Sequence, residues 1–171
     1  RYGPSPAFGG IDIWPNPTWA FKSLEHGYDD ATVARFVADT GGAVPGGTGR
    51  ERFAARHIFL TGPALDSWLA WRAKQTTGTI AEIARLAAAT RPRLPVFVPL
   101  PVSPADATDP AAHYYRNLGI DVAALRKLPN VILVAQRKPT AYRHQKHWDT
   151  AETQHDEALF DRANTVVFQA P

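Results

Sequence analysis

Apolar residues recur every three to four positions in three stretches of the chain, which is the spacing produced by one buried helix face. The first predicted helix begins at Asp29-Asp30, where carboxylates suit a helix start, and ends before Gly41-Gly42. A shorter helix is predicted for about residues 50–60. Its expected inner face consists of Phe53, His57 and Ile58.

The third and longest predicted helix covers about residues 64–90, and Pro92 lies just beyond its end. Its apolar stripe is expected to be buried and comprises Leu65, Trp68, Leu69, Trp71, Ile80, Ile83, Leu86 and Ala87. Trp68 and Trp71 are therefore predicted core residues. Arg72 and Lys74 beside them are interpreted as a solvated edge of the helix.

Four other stretches are short and apolar, as in strands of a buried parallel sheet. They lie near residues 8–14, 94–102, 131–135 and 166–168, with a predicted loop over 103–113 and a short helix over 121–127. In the first stretch, Ile11 and Ile13 point to one side while Asp12 and Trp14 point to the other. Because strands alternate with helices, the pattern predicts an α/β fold whose parallel sheet is covered on both faces.

Length and composition restrict the class of protein further. The chain has 171 residues, with 15 Pro, 12 Gly, no Cys and no Met. Without Cys, a disulfide framework, a thiolate metal site and a Cys nucleophile are excluded. The length suits one domain but is short for a complete (β/α)8 barrel, which usually needs about 250 residues. Since the chain starts at Arg1 and contains no Met, we expect it to be a trimmed or partial piece.

The charge of the chain argues against two classes of partner. The net charge of +3 comes from 19 basic and 16 acidic residues that are spread along the sequence, so nucleic acid is not an expected partner. No apolar run approaches the roughly 20 residues of a membrane span, so a membrane is not expected either. The compartment stays open, with a secreted or periplasmic location favoured.

Carboxylates and aromatic residues cluster after the first predicted strand. Asp12 should end that strand at the mouth of the sheet, where sites of α/β proteins lie. Glycoside hydrolysis needs two carboxylates that flank one bond, so Asp12 and the loop residue Glu25 are the candidate catalytic pair. The candidate sugar contacts nearby are Trp14, Asn16, Trp19 and His26. The alternatives are a turn acceptor for Asp12, packing for Trp14 and Trp19, and solvent for the loop residues.

Two candidate sugar contacts come from the later part of the chain. Gln136 is expected at the carboxyl end of the strand over 131–135, and His144 lies in the polar stretch over 137–149. His144 and His147 are spaced for one helix face, but a zinc site needs a third ligand, so no metal is predicted. Phosphate-binding loops, the dinucleotide fingerprint and the serine nucleophile elbow are absent from the sequence, so no cofactor is predicted.

A series of weak motifs runs along most of residues 1–136. They are Tyr2-Gly-x-x-Pro-Ala-x-Gly-Gly-Ile-Asp12, Gly27-Tyr-Asp-Asp30 followed by Phe36 and Asp39-Thr-Gly41, Trp68-Leu-Ala-Trp-Arg72 in a helix ending at Arg91-Pro92, and Pro129-Asn-Val-Ile-Leu-Val-Ala-Gln136. Together they resemble the family-10-like glycosyl hydrolase group of bacterial (β/α)8 proteins and, more loosely, the family-42 β-galactosidase type.

The resemblance implies a (β/α)8 (TIM) barrel, of which residues 1–171 would form about half, as a single domain. It implies a carbohydrate ligand, with Asp12 as the general acid/base. Gln136 and Gln169 stand at later strand ends, where a second carboxylate is expected. Two functions stay open: a glycoside hydrolase whose second carboxylate lies elsewhere, and a non-catalytic carbohydrate-binding or structural barrel. A missing segment or a second chain would close the barrel.

Overall fold

The structure, a computed structural model, describes residues 5, 7–15, 21, 23–100, 111–137 and 165–169. Its strands β1 to β4 are, in chain order, Ile11–Asp12, Val96–Leu100, Val131–Arg137 and Thr165–Gln169. Its helices α1 to α5 are Asp30–Thr40, Glu51–Leu60, Leu65–Thr90, Ala111–Asn117 and Val122–Leu125. The mixed α/β class that the sequence predicts is therefore confirmed.

The four strands form one parallel sheet in the sequential order β1-β2-β3-β4. Helices α1 to α3 connect β1 to β2, and α4 and α5 connect β2 to β3. Connections between parallel strands are almost always right-handed, so a sequential order brings successive helices to the same face of the sheet. A doubly wound sheet differs because its strand order reverses, which puts helices on both faces.

One face of this sheet packs against the helices and forms the main core. Its almost completely buried members include Val96, Val98 and Leu100 of β2, Val131 and Leu133 of β3, and Ile80, Ala84 and Ala87 of α3. On the opposite face, Phe97, Ile132 and Val134 are half-buried and belong to neither core cluster. Among the described residues, the helices thus cover one face of the sheet, whereas the sequence pattern predicts two covered faces.

The two halves of α3 belong to different cores. A short connection leads from α3 into β2, so the helix runs antiparallel to the strand and its carboxyl half lies along it. The amino half extends beyond the carboxyl end of β2 and joins a second group of buried residues, which we call the aromatic cluster. This cluster consists of Tyr28, Val33, Phe36, Leu60, Trp68 and Trp71. The prediction that Trp68 and Trp71 are core residues is confirmed.

The ends of α1 follow from their residue types. The side chain of Asp29 accepts a 2.9 Å hydrogen bond from the backbone N–H of Thr32, which satisfies one of the unpaired donors at the helix start. Gly41 ends the helix with φ of 68°, a left-handed conformation that costs glycine little. The predicted start and end of this helix are confirmed.

The predicted inner face of α2 is wrong at Phe53 and Ile58, whereas His57 is half-buried and packs against Tyr28. Ile58 is 69% exposed and Phe53 is 37% exposed, while Arg56 and Leu60 are the buried residues of this helix. The guanidinium of Arg52 lies 4.2 Å over the ring of Phe53 and shields it at the surface instead. The same misjudgement of helix phase applies to Leu86 of α3, which is 51% exposed.

The predicted loop over residues 103–113 is also corrected at its end, because α4 begins at Ala111. This helix ends at Asn117, and Gly119 then reverses the chain with φ of 69°. A side chain at Gly119 would meet Phe21 and Arg72 at about 3 Å, so the close packing against α3 requires glycine there.

Candidate functional site

Asp12 and Trp14 form a pair on the sheet face opposite the main core. Ile11 and Ile13 contribute to that core, so the alternating side chain of Asp12 points the other way. Trp14 Nε1 donates a 2.7 Å hydrogen bond to Asp12 Oδ2. Asp12 is exposed, and Trp14 keeps 53% of its surface exposed. The pair therefore presents a carboxylate and a flat aromatic surface side by side.

Asp12 ends β1, as the sequence predicts, but the register sets it below the carboxyl ends of the next strands. It pairs with Phe97, which is three positions before the last residue of β2, Leu100. At about 3.3 Å per residue, this separation is roughly 10 Å along the strand. β3 continues two positions further, because Ala135 pairs with Leu100 and the strand ends at Arg137.

Glu25 and His26 lie on an exposed loop before α1 and contact different partners. Glu25 Oε2 is 3.7 Å from Nε2 of His57 on α2. His26 Nδ1 is 3.0 Å from Ser23 Oγ, and the same hydroxyl accepts a 3.1 Å hydrogen bond from the backbone N–H of Glu25. In the described part of the chain, no hydrogen bond joins this loop to Asp12. The two candidate carboxylates, Asp12 and Glu25, therefore belong to separate clusters there.

Of the four remaining predicted sugar contacts, the structure describes only Gln136. Asn16, Trp19 and His144 are outside the described residues. Gln136 is the second-last residue of β3 and pairs with Phe168 of β4. It therefore stands at the carboxyl end of a strand, as predicted.

The prediction that Arg72 belongs to a solvated edge is wrong. Its side chain is fully buried on α3, where Nη2 donates a 2.6 Å hydrogen bond to the carbonyl oxygen of Ser23. The guanidinium lies 4.2 Å from the ring centroid of Phe21, and burial lowers its pKa to about 10. Helical spacing does predict its burial. Arg72 follows Trp68 by four positions and precedes Ile80 by eight, so it shares their buried face.

Tyr28 links this buried arginine to the loop that carries Glu25 and His26. Its hydroxyl donates to the carbonyl oxygen of Leu24, and its ring stands edge-on to His57 at 5.0 Å between centroids. Burial raises the pKa of the Tyr28 phenol, while the positive charge of Arg72 opposes that shift. The loop is thus held against both α2 and α3.

A charged network fixes the start of α1 against α2. The carboxylate of Asp30 accepts hydrogen bonds from Arg52 Nη2 at 2.9 Å and from Arg56 Nη1 at 2.7 Å. Arg56 Nη1 also donates to the carbonyl oxygen of Tyr28 at 3.1 Å. These two arginines hold the pKa of Asp30 well below its usual range.

Replacing Asp30 with Asn should make the stability of the protein less sensitive to acid. A carboxyl group whose pKa is lowered on folding stabilises the folded state above its unfolded pKa, near 3.8. This contribution is lost as the pH falls through that value towards the folded pKa. Asp30→Asn should therefore reduce stability at pH 7 and change it much less at the acid end. Urea unfolding across this pH range measures the difference, and an equal loss at every pH would contradict the prediction.

Neither a membrane helix nor a metal cluster is found within the described ranges. None of the helices there combines the length and hydrophobicity needed to cross a bilayer, and no three His, Cys, Asp or Glu side chains converge there as a metal site. Comparisons with protein-family models, curated proteins and solved structures find no match for this chain.

Proposed function

We propose that this chain is part of a glycoside hydrolase-like barrel that binds carbohydrate beside Asp12. The observation that supports this most is the Asp12–Trp14 pair, in which an exposed carboxylate is held against an exposed indole ring. Sugar rings have apolar faces that stack on aromatic side chains, and their glycosidic bonds are cleaved by carboxylates. In this proposal Trp14 binds the sugar face and Asp12 is the general acid/base.

The sheet topology supports the barrel part of the proposal. Sequential parallel strands with helices on one face are the arrangement of a (β/α)8 barrel, and four such strands make half of one. A barrel also needs its strands to be staggered by about one residue per strand. Here β2 ends three positions beyond Asp12, β3 ends two positions beyond β2, and β4 ends level with β3, an average of between one and two residues per strand. The half-buried apolar face with Phe97, Ile132 and Val134 would then line the barrel interior.

Asp12 needs a second carboxylate for hydrolysis, and Glu25 is the candidate from this chain. Carboxyl groups of retaining enzymes lie about 5–5.5 Å apart, and those of inverting enzymes about 6.5–9.5 Å apart. Glu25 is 76% exposed, and its carboxylate lies 3.7 Å from His57 Nε2, a contact that it would have to leave to approach Asp12. If Glu25 does not serve, the second carboxylate comes from a segment or chain that completes the barrel. The alternative function is a barrel that binds carbohydrate without cleaving it.

Asp12→Asn separates these functions. The wild-type chain is assayed for release of nitrophenol from a panel of nitrophenyl glycosides, and for binding to soluble polysaccharides by affinity electrophoresis. If Asp12 is the general acid/base, the variant should lose about 10²- to 10⁴-fold in turnover and keep its binding. Binding without turnover in the wild type would support the non-catalytic alternative, in which Trp14→Ala should weaken affinity about tenfold.

Asp66→Asn is the matched control, because Asp66 is an exposed carboxylate on α3 that pairs with Arg116 at 2.7 Å, outside the proposed site. It should leave turnover and binding unchanged. Undiminished turnover in Asp12→Asn would overturn the role of Asp12. If the wild type shows no turnover and no binding across both panels, the proposed function is overturned.

A further inference from the structure

Arg72 carries a buried positive charge that the described residues do not compensate. Nη2 donates to the carbonyl oxygen of Ser23, but Nε and Nη1 have no hydrogen-bond partner, and no ion pair reaches Arg72 within the described ranges. Its side chain is nevertheless fully buried. Buried arginines normally pair with a carboxylate or phosphate, because an unpaired charge in a low-dielectric interior is costly. The missing partner is therefore expected to be an anion.

A second unpaired group lies one helical turn further along α3. Thr76 is 1% exposed, and its Oγ1 has no hydrogen-bond partner. Residues four positions apart share a helix face, so this hydroxyl is on the same side of α3 as the Arg72 guanidinium. A hydroxyl donates one hydrogen bond, and Nε and Nη1 of arginine together donate three. These two side chains can therefore donate four further hydrogen bonds, which suits a partner that supplies several acceptor oxygens.

The position of these donors relative to the sheet follows from the direction of α3. Ile80 packs in the main core against β2, and Arg72 precedes it by eight residues, about 12 Å along the helix axis. Because α3 runs antiparallel to β2, Arg72 lies beyond the carboxyl end of that strand.

We propose that Arg72 and Thr76 form a binding site for a small oxyanion, such as a carboxylate, phosphate or sulfate group. Nε and Nη1 of Arg72 hold two of its oxygens, and Thr76 Oγ1 donates to a third or shares one of them. Phe21 packs over the guanidinium and the Ser23 carbonyl accepts from Nη2, so binding in this proposal requires both to be displaced. This site does not depend on the proposed hydrolase function, since Asp12 and Trp14 take no part in it.

The test is a titration of the full chain with sodium phosphate, sodium sulfate and sodium glucuronate, each at an ionic strength held constant with sodium chloride. Tryptophan fluorescence is a suitable signal because Trp68 is 5.7 Å from the Arg72 guanidinium. Thermal unfolding gives a second readout. We expect a saturable fluorescence change and a rise in Tm with at least one oxyanion. A response to glucuronate alone would identify a carboxylate as the ligand, and a response to phosphate or sulfate would identify a tetrahedral oxyanion.

Variants on α3 decide whether Arg72 is responsible. Arg72→Lys should weaken the affinity at least tenfold, because a lysine donates from one point rather than from a fork. Thr76→Val should weaken it several-fold without removing a charge. Arg85→Met is the matched control, since Arg85 is an exposed arginine of the same helix that pairs with Glu82 at 2.6 Å. The absence of a saturable response in the wild type, or an unchanged affinity in Arg72→Lys, would overturn the site.

Discussion

Trp68→Ala should lower the free energy of unfolding by about 3–5 kcal/mol, the largest loss that we expect from a single substitution here. Trp68 is fully buried, and its ring centroid is 5.2 Å from those of Phe36 and Trp71. Phe21 and Tyr28 flank it at 6.0 and 6.1 Å. Because these neighbours come from α1, α3 and the loop before α1, no single shift can fill the cavity that Ala would leave. Urea unfolding followed by circular dichroism measures the loss.

Trp14→Ala is the control for that experiment. Trp14 is 53% exposed and makes one side-chain hydrogen bond, to Asp12. Its removal should change the free energy of unfolding by about 0.5 kcal/mol or less, as is usual for a surface position. A similar loss in both variants would contradict the conclusion that the aromatic cluster holds α1, α2 and the amino half of α3 together.

Helix periodicity predicts part of this fold because it depends only on neighbouring residues. Trp68, Trp71 and Ile80 recur at helical spacing, and the structure buries all three. The same rule fails on α2, where it predicts Phe53 and Ile58 as inner residues. That helix packs through Leu60 and the long stem of Arg56, whose guanidinium reaches Asp30. Arginine can bury its aliphatic part while its charged end is paired, which a hydrophobic pattern does not register.

The candidate site is less predictable because it depends on strand register and on contacts between distant residues. The pattern around Asp12 predicts that the residue ends a strand and points away from Ile11 and Ile13, and both features are found. The position of Asp12 along the strand direction, relative to Leu100, is set by its pairing with β2. Three helices separate β1 from β2 in the sequence. The contact between Glu25 and His57 likewise requires α2 to fold back over the loop. No local pattern contains that information.

The burial of Arg72 is not predicted by its residue type. Its charge suggests exposure, whereas its spacing from Trp68 and Ile80 indicates burial, and the structure follows the spacing. The aromatic rings of Phe21 and Trp68 stabilise the guanidinium through contacts at 4.2 and 5.7 Å. They do not replace an anion, because Nε and Nη1 stay without acceptors in the described part of the protein. Removing Arg72 should therefore cost much less stability than removing Trp68.

Arg72→Met should leave the free energy of unfolding within about 1 kcal/mol of the wild type or raise it, although the residue is fully buried. Removing a charge that lacks a partner relieves a desolvation cost of several kcal/mol. The losses are the hydrogen bond to Ser23, about 1–3 kcal/mol, and the contact with Phe21, about 2 kcal/mol or less. Methionine is unbranched and flexible, so it can fill most of the vacated space.

The pH dependence of the same pair of proteins supplies an independent check. Burial lowers the pKa of Arg72 to about 10 in the folded protein, well below its value in the unfolded chain. Between these values the unfolded chain binds more protons than the folded one, so this group makes the folded state more stable as the pH rises. The stability of the wild type relative to Arg72→Met should therefore increase as the pH is raised through about 10. Most other groups that titrate in this range are unaffected by the substitution, but the Tyr28 phenol is coupled to Arg72, so the difference reports Arg72 together with its effect on Tyr28.

Ile80→Ala gives the scale for these measurements, because Ile80 is fully buried on the same helix and its truncation should cost about 2–5 kcal/mol. A comparable loss in Arg72→Met would mean that the charge is compensated in the folded protein, and it would contradict the prediction.

An oxyanion that binds only the folded wild type stabilises it in proportion to the logarithm of ligand concentration, by about 2.7 kcal/mol at a concentration one hundred times its Kd. The variant lacks the guanidinium and should gain nothing. The order of stability of the two proteins should therefore shift towards the wild type when the oxyanion is added, because the ligand supplies the acceptors that Nε and Nη1 lack.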